Sequence, residues 1–177
     1  QLINDTIRLS ELDAVHMEIV TEKFDVYELA QNCVDTLQVK ADKMEVTIRI
    51  AGEPCILETS REMINELLYN LCDNAIRYNK KGGRVLVLVG ENEYKEKYIE
   101  VKDNGIGIPK EYQERVFERF YRVDKSRSKE TGGTGLGLAI VKHIIVQLHA
   151  RLEMDSEEGK GTMMRIVFAK KTREIGD

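Results

Sequence analysis

CDNAIRYNKKGG (72–83) is the stretch on which the fold turns. It closes a helix that Ser60 can cap and that runs to about Tyr78. Ile64, Leu67, Leu68, Leu71, Cys72, Ala75 and Ile76 keep helical spacing along one side of it. Opposite them, Glu66, Asn70, Asn74 and Arg77 stand at i, i+4, i+8 and i+11, a polar stripe that runs out beside two lysines and two glycines. Asn has a low helix propensity, so two of them one turn apart are a poor choice for a face that meets only water. Their amide oxygens suit a hard cation such as Mg²⁺, which keeps most of its waters and leans on phosphate oxygens. A solvated polar face is the alternative that the pair alone leaves open.

The composition sets the class. A chain of 177 residues is a prior of about one domain and can bury roughly two-thirds of its unfolded surface. A formal net charge of -4 with 42% hydrophobic residues describes a globular protein and argues against nucleic acid as the main partner. No apolar run approaches a membrane span, and no signal peptide opens the chain at Gln1, so no membrane contact by this stretch is expected. Cys33, Cys55 and Cys72 are odd in number, widely spaced and in apolar settings. They read as reduced core thiols of a cytosolic protein, neither a disulfide frame nor a zinc site.

Working outward, residues 1–19 read as a helix, with Leu2, Leu9, Leu12 and Ile19 near one stripe and too few neighbours to bury it. It is expected to be the end of a longer helix. A short strand over 19–24 precedes Asp25, a plausible N-cap for a helix over Val26–Lys43. Residues 44–50 alternate as a half-buried strand, and Gly52-Glu53-Pro54 turns it into a second at 55–58. Strands are expected at 84–89 and 98–102, a short helix over 110–117, and two last strands at 151–155 and 162–169. GTGLGLAIVKHIIVQLHA (133–150) opens with glycines and becomes a helix apolar nearly all round, expected at the centre. Helices and strands mix without strict alternation. That predicts a two-layer α/β sandwich, a mixed sheet with helices packed on one face, over a doubly wound parallel fold.

Three further stretches carry chemistry. DNGIGIP (103–109) is either a tight turn or a place where Gly105 and Gly107 let the backbone approach a flat ligand. In the second case Asp103, ending an inward strand, accepts from an exocyclic amine such as adenine N6. GGTGLGLAI (132–140) offers bare N–H groups and a helix N-terminus to a phosphate. It fits neither the Walker A pattern nor the dinucleotide fingerprint, and a flexible loop is its bland reading. VFERFYRVDKSRSKETGG (116–133) is a long basic loop in which Phe117 and Tyr121 read as core anchors. As a lid, its Arg122, Lys125, Arg127 and Lys129 would bring cations over a triphosphate.

In this order the stretches resemble the catalytic, ATP-binding domain of bacterial sensor histidine kinases, in the GHKL ATPase/kinase superfamily. The likeness runs from about Phe24 to Phe168. It takes in NLCDNAIRY (70–78, the N box), DNGIGIP (103–109, the first glycine box) and FERFYRVD (117–124, the F box). GGTGLGLAIVKHI (132–144, the second glycine box) and SEEGKGT (156–162) complete it. The resemblance implies a fold of the Bergerat ATP-binding type with a short N-terminal helix, and ATP and Mg²⁺ as ligands. It puts phosphate and metal at Asn70 and Asn74, with Asn74 the direct metal ligand, and phosphate and sugar at Arg77 and Tyr78, with Lys81 less firmly matched. Asp103 takes the adenine-reading position, with Gly105 and Gly107 beneath the base and Ile108 beside them. Gly133, Thr134, Gly135, Leu136 and Gly137 frame the lid's end and the triphosphate. Arg122 reaches the γ-phosphate and, with Asn70, is the expected catalytic residue.

Gyrase-type relatives place a glutamate four residues before the metal-binding Asn, where it activates water. Here that position holds Asn70, an amide without a basic lone pair, so the γ-phosphoryl is expected to wait for a histidine. Glu66, one turn further off, is at most a supporting residue. His16, His143 and His149 do not fit the acceptor pattern, and the last two are expected within the buried last helix. IRLSELDAV (7–15) resembles the second helix of the acceptor hairpin. The implied division is a hairpin tail over 1–19, the catalytic domain over 20–170 and a C-terminal tail over 171–177. His149-Ala150 departs from the family's usual Gly-Gly and predicts a stiffer turn. Implied partners are the acceptor-histidine helix of the same protein, as a homodimer, and the receiver domain of a response regulator. The implied place is the cytoplasmic side of a membrane-anchored sensor. A GHKL ATPase or serine kinase and a non-catalytic nucleotide-sensing module are the rival readings.

Overall fold

The computed structural model describes residues 19–123 and 133–170, together with Ile3, Asn4, Thr6, Ile7 and Ser10, which are helical and exposed. His16, Lys125, Arg127, Lys129 and the tail at 171–177 lie outside the described residues.

Strand β1 (Glu22–Asp25) leads into helix α1 (Val26–Lys43). Asp25 caps the helix by accepting from Tyr27 N at 2.9 Å, and the same oxygen accepts from Cys55 N at 2.9 Å. One carboxylate thus starts α1 and pins the approach to strand β3 (Ile56–Thr59). Helix α2 (Arg61–Arg77) opens on Ser60, whose hydroxyl accepts from Met63 N at 3.3 Å. Strands β2 (Thr47–Gly52), β4 (Arg84–Glu91), β5 (Lys97–Asp103), β6 (Arg151–Glu157) and β7 (Gly161–Phe168) form one sheet in the order β2-β4-β5-β7-β6. Only β2 and β4 are parallel.

The register sorts side chains by face. Val87, Val101 and Met164 stand in one row and Val89, Ile99 and Ile166 in the next, all buried under α1, α2 and helix α3 (Gly137–Gln147). A third row on the same face runs Ile48, Val85, Asp103. The alternation of period two that buries the valines therefore carries a carboxylate to the edge of the core. On the opposite face Arg165 pairs with the buried Glu100 at 2.6 Å and lies 4.8 Å over the Tyr98 ring. The mixed sheet with its helices on one face is the two-layer arrangement the patterning predicts.

Three local expectations are corrected. The strand after Gly52-Glu53-Pro54 does not return beside β2; β3 pairs antiparallel with β1 in a separate two-stranded sheet. Gly52 has a φ of 127°, and a Cβ there would meet Val89 O at 1.9 Å, so the chain presses on β4 and then leaves the sheet. The helix expected over 110–117 is instead two 3₁₀ turns, Lys110–Tyr112 and Arg115–Phe117, with no side-chain cap and no buried residue to support a longer helix. Finally, α3 is not buried all round: it packs on α2 through Ile140, Val141, Ile144 and Ile145 but leaves Val146 59% exposed. His143 is half-buried, and His149 lies beyond the helix, exposed, with a φ of 51°. That left-handed turn is the conformation the family's usual glycine favours, and His is one of the few other residues that take it readily.

Candidate functional site

A cavity of about 570 Å³ opens between α2, the start of α3 and the turn after β5. The α2 stripe forms one wall. Asn70 Nδ2 donates to Glu66 O at 2.8 Å, which turns its amide oxygen outward. A Cβ on Gly137 would lie 3.1 Å from Asn70 Oδ1 and 3.8 Å from Asn74 Oδ1. Both amide oxygens therefore face the first turn of α3, and a side chain at Gly137 would press on the Asn70 amide. Asn70 and Asn74 both line the cavity.

Arg77 is buried at 7% exposure, not a solvated end to the stripe. Its Nε and one terminal nitrogen reach Asp73 Oδ2 at 3.1 and 2.9 Å. The other Asp73 oxygen takes Lys40 Nζ from α1. Two cations thus share one buried carboxylate at the cavity wall. Asp73 was absent from the expected site. Its one legible signal is the acid–base spacing of i and i+4 with Arg77.

The other wall is the first glycine box. Ile106 N donates to Tyr78 O at 3.1 Å, joining this turn to the end of α2. A Cβ on Gly105 would sit 2.5 Å from Tyr78 O, and one on Gly107, whose φ is 66°, would sit 2.0 Å from Glu157 O. Both glycines line the cavity, but the atoms that forbid a side chain are the protein's own carbonyls. Asp103 lies between these walls. Burial pushes its carboxyl up to about 6, against the donations from Gly105 N at 2.8 Å and from the Thr162 backbone.

That value gives a pH dependence. Folding raises the Asp103 pKa, so the group's contribution to the stability of the empty chain is full only below about pH 4 and is lost as the pH rises through about 6. Binding of an amine donor has the opposite sign, because it needs the carboxylate. Roughly a tenth of Asp103 is ionised at pH 5 and roughly nine-tenths at pH 7, so ATP affinity relative to the Asp103→Asn variant is expected to rise several-fold over that interval. Displacement of a fluorescent nucleotide at each pH checks it; a flat ratio contradicts the assignment.

The third wall comes from both ends of the long loop. Arg122 donates to Gly133 O, and Phe120 N donates to Gly135 O at 3.0 Å. Gly135, at a φ of 75°, leaves no room for a side chain beside Phe120. A Cβ on Gly133 would lie within 3.5 Å of atoms of Arg77, Tyr78 and Arg122, so these residues converge. Arg122, Gly133, Thr134 and Gly135 line the cavity, as do Tyr78 and Ile108.

Two expected residues do not line it. Lys81 points away and pairs with Glu45 at 2.9 Å, with 82% of its side chain exposed, while Lys80 lines the cavity in its place. The Lys80 backbone N–H donates to Asn79 Oδ1 at 2.9 Å within this turn. Leu136 is fully buried and anchors the start of α3 in the core. Besides Asp73 and Lys80, sequence reading missed Thr162, which lines the cavity from β7. Its only signal was its place after the final glycine turn.

Residues 59–172 match the family described as histidine kinase-, DNA gyrase B-, and HSP90-like ATPase. Among curated relatives, the sensor histidine kinase WalK of Bacillus subtilis is 36% identical over 179 residues, covering 100% of this chain and 29% of the relative. The chain thus spans under a third of the length of that relative. Among solved structures, the mycobacterial sensor histidine kinase MprB superposes with a TM-score of 0.72 at 26% identity, over 84% of this chain and 97% of that one. Full-length ShkA in complex with AMPPNP shares the fold, with a TM-score of 0.82 at 23% identity over 94% of this chain and 35% of that one.

Proposed function

The chain belongs to the histidine kinase-, DNA gyrase B- and HSP90-like ATPase family, and from that premise we propose that it is the ATP-binding kinase domain of a sensor histidine kinase. The observation that carries the reading is the polarity of one cavity. Its lining joins the Asp103 carboxylate, suited to an exocyclic amine, to Asn70, Asn74, Arg77, Lys80, Arg122 and glycine-bared backbone, suited to a triphosphate.

The donor set at Asn70 and Asn74, neutral amide oxygens across from a helix N-terminus, fits Mg²⁺ carried in on phosphates. Among the described residues no cluster of three or more His, Cys, Asp or Glu is placed to hold a metal. When bound, it would neutralise charge on the phosphate oxygens. The chain's own residues do the rest. Asp103 orients the base, Arg77 and Lys80 draw the phosphates along α2, and Arg122 reaches the γ-phosphate from the loop. Asn70 cannot take a proton at neutral pH, so it orients and does not activate water. The γ-phosphorus is then attacked by an imidazole nitrogen, the bond to the β-phosphate oxygen breaks, and its electron pair leaves with ADP. Catalysis is positioning and charge neutralisation.

The acceptor histidine belongs to a helical hairpin of the full-length homodimer, and the phosphoryl group passes on to a response regulator. No helix among the described residues is long and apolar enough to cross a membrane; the proposed setting is the cytoplasmic side of a membrane-anchored sensor. The test is to mix the chain with an isolated acceptor hairpin and γ-radiolabelled ATP. Acid-labile label on the hairpin is expected. ATP binding without transfer at any hairpin concentration favours a sensing module, and brisk hydrolysis by the chain alone, lost in Asn70→Ala, favours an ATPase.

A further inference from the structure

Resting on the nucleotide reading above, we infer that Lys40, which lies on α1 outside the cavity, is a positioning residue for phosphate binding: its charge offsets Asp73, so that Arg77 serves a bound phosphate and not only its own carboxylate. The observation behind this is an anion set where an anion is to bind. Asp73 lines the same cavity as Asn74, Arg77 and Lys80. It is 6% exposed, so water screens its charge poorly. A triphosphate entering the cavity meets a carboxylate on the wall, and like charges repel.

The two oxygens of Asp73 have different partners. Oδ2 accepts from Nε and a terminal nitrogen of Arg77 at 3.1 and 2.9 Å. Oδ1 accepts from Lys40 Nζ. Arg77 lines the cavity and Lys40 does not. Lys40 stands in the last turn of α1, with 33% of its side chain exposed, and takes the oxygen that Arg77 leaves. Without the lysine charge two things change together. The field of Asp73 in the cavity is no longer offset by Lys40, and the carboxylate holds Arg77 more firmly. Both changes act against an anionic ligand, and neither acts on an uncharged one.

A role in folding alone reads differently. A cation in the last turn of a helix also meets the helix dipole, and its stem adds to helix packing. Losing either lowers the melting temperature without favouring uncharged ligands of the cavity over charged ones.

The test measures the affinity of the chain for ATP by calorimetry and for adenosine by NMR titration, which reads millimolar binding. Lys40→Met is expected to weaken ATP by about fivefold while adenosine stays within about twofold. Lys40→Gln keeps an N–H donor for Asp73 but no charge, and is expected to behave as Lys40→Met does. Lys40→Arg keeps the charge and is expected to hold both affinities near those of the wild-type chain. In about 1 M salt the loss in Lys40→Met should shrink to within about twofold. Lys40→Met weakening ATP and adenosine by one common factor, ATP affinity unmoved in Lys40→Met, or full recovery in Lys40→Gln overturns the assignment alone. A wild-type chain that binds no ATP overturns the nucleotide reading and this assignment with it.

Discussion

Asn74→Ala is expected to weaken ATP binding by about tenfold or more when Mg²⁺ is present, and by less than about twofold in EDTA. The split matters more than the size. Asn74 is a half-buried residue whose amide oxygen faces the first turn of α3. If that oxygen serves an ion held between protein and phosphate, its loss is felt only when the ion is there. If it merely touches the nucleotide, the loss is the same in both buffers. Calorimetric titration under the two conditions separates these cases, and equal weakening rules out the metal role. Transfer to the acceptor hairpin is expected to slow by a factor on the order of 10², the usual cost of removing one group that stabilises charge in the transition state.

Asp73→Ala should give the largest loss of stability. The carboxylate is 6% exposed and holds Arg77, itself 7% exposed, together with Lys40. Removing it takes away the one carboxylate that both cations share at a buried site, which costs about 3 kcal/mol or more. For a chain of this length that is a fall in melting temperature of roughly 6 to 12 °C. Arg77→Met in the Asp73→Ala background is expected to return part of the loss, because it removes a buried charge that no longer has this carboxylate beside it. Thermal unfolding of the two single variants and the double variant closes the cycle. A single-variant cost under about 1 kcal/mol would mean that the pair behaves like one in solvent.

These two positions are neighbours in the chain, yet only one was legible. Asn74 stands out in sequence because an amide inside an amphipathic helix opposes propensity, and a second one lies one turn away. Asp73 looks like any acid on a helix. Its partner on α1, Lys40, is 33 positions distant, and only the packing of α1 on α2 brings them together. The same holds for the pair Lys80 and Lys81: of two adjacent residues of one type, one lines the cavity and the other pairs with Glu45.

The glycines show the limit from the other side. Their positions in the first and second glycine boxes were plain, and the expected reason at Gly105 and Gly107 was room for a ligand. The nearest obstacles turn out to be Tyr78 O and Glu157 O, groups far off in the chain. A missing side chain reports that something approaches closely; it does not report what.

By itself the sequence determined helices α1, α2 and α3, the strand alternation, the two-layer class and the amide stripe, because these follow from periodicity and propensity within a few turns of chain. Only the tertiary structure decided that β3 joins β1 and that Asp73 takes Lys40 as well as Arg77. Those are contacts between segments whose separation leaves no local trace, and their geometry exists only once sheet register and helix packing have brought the segments together.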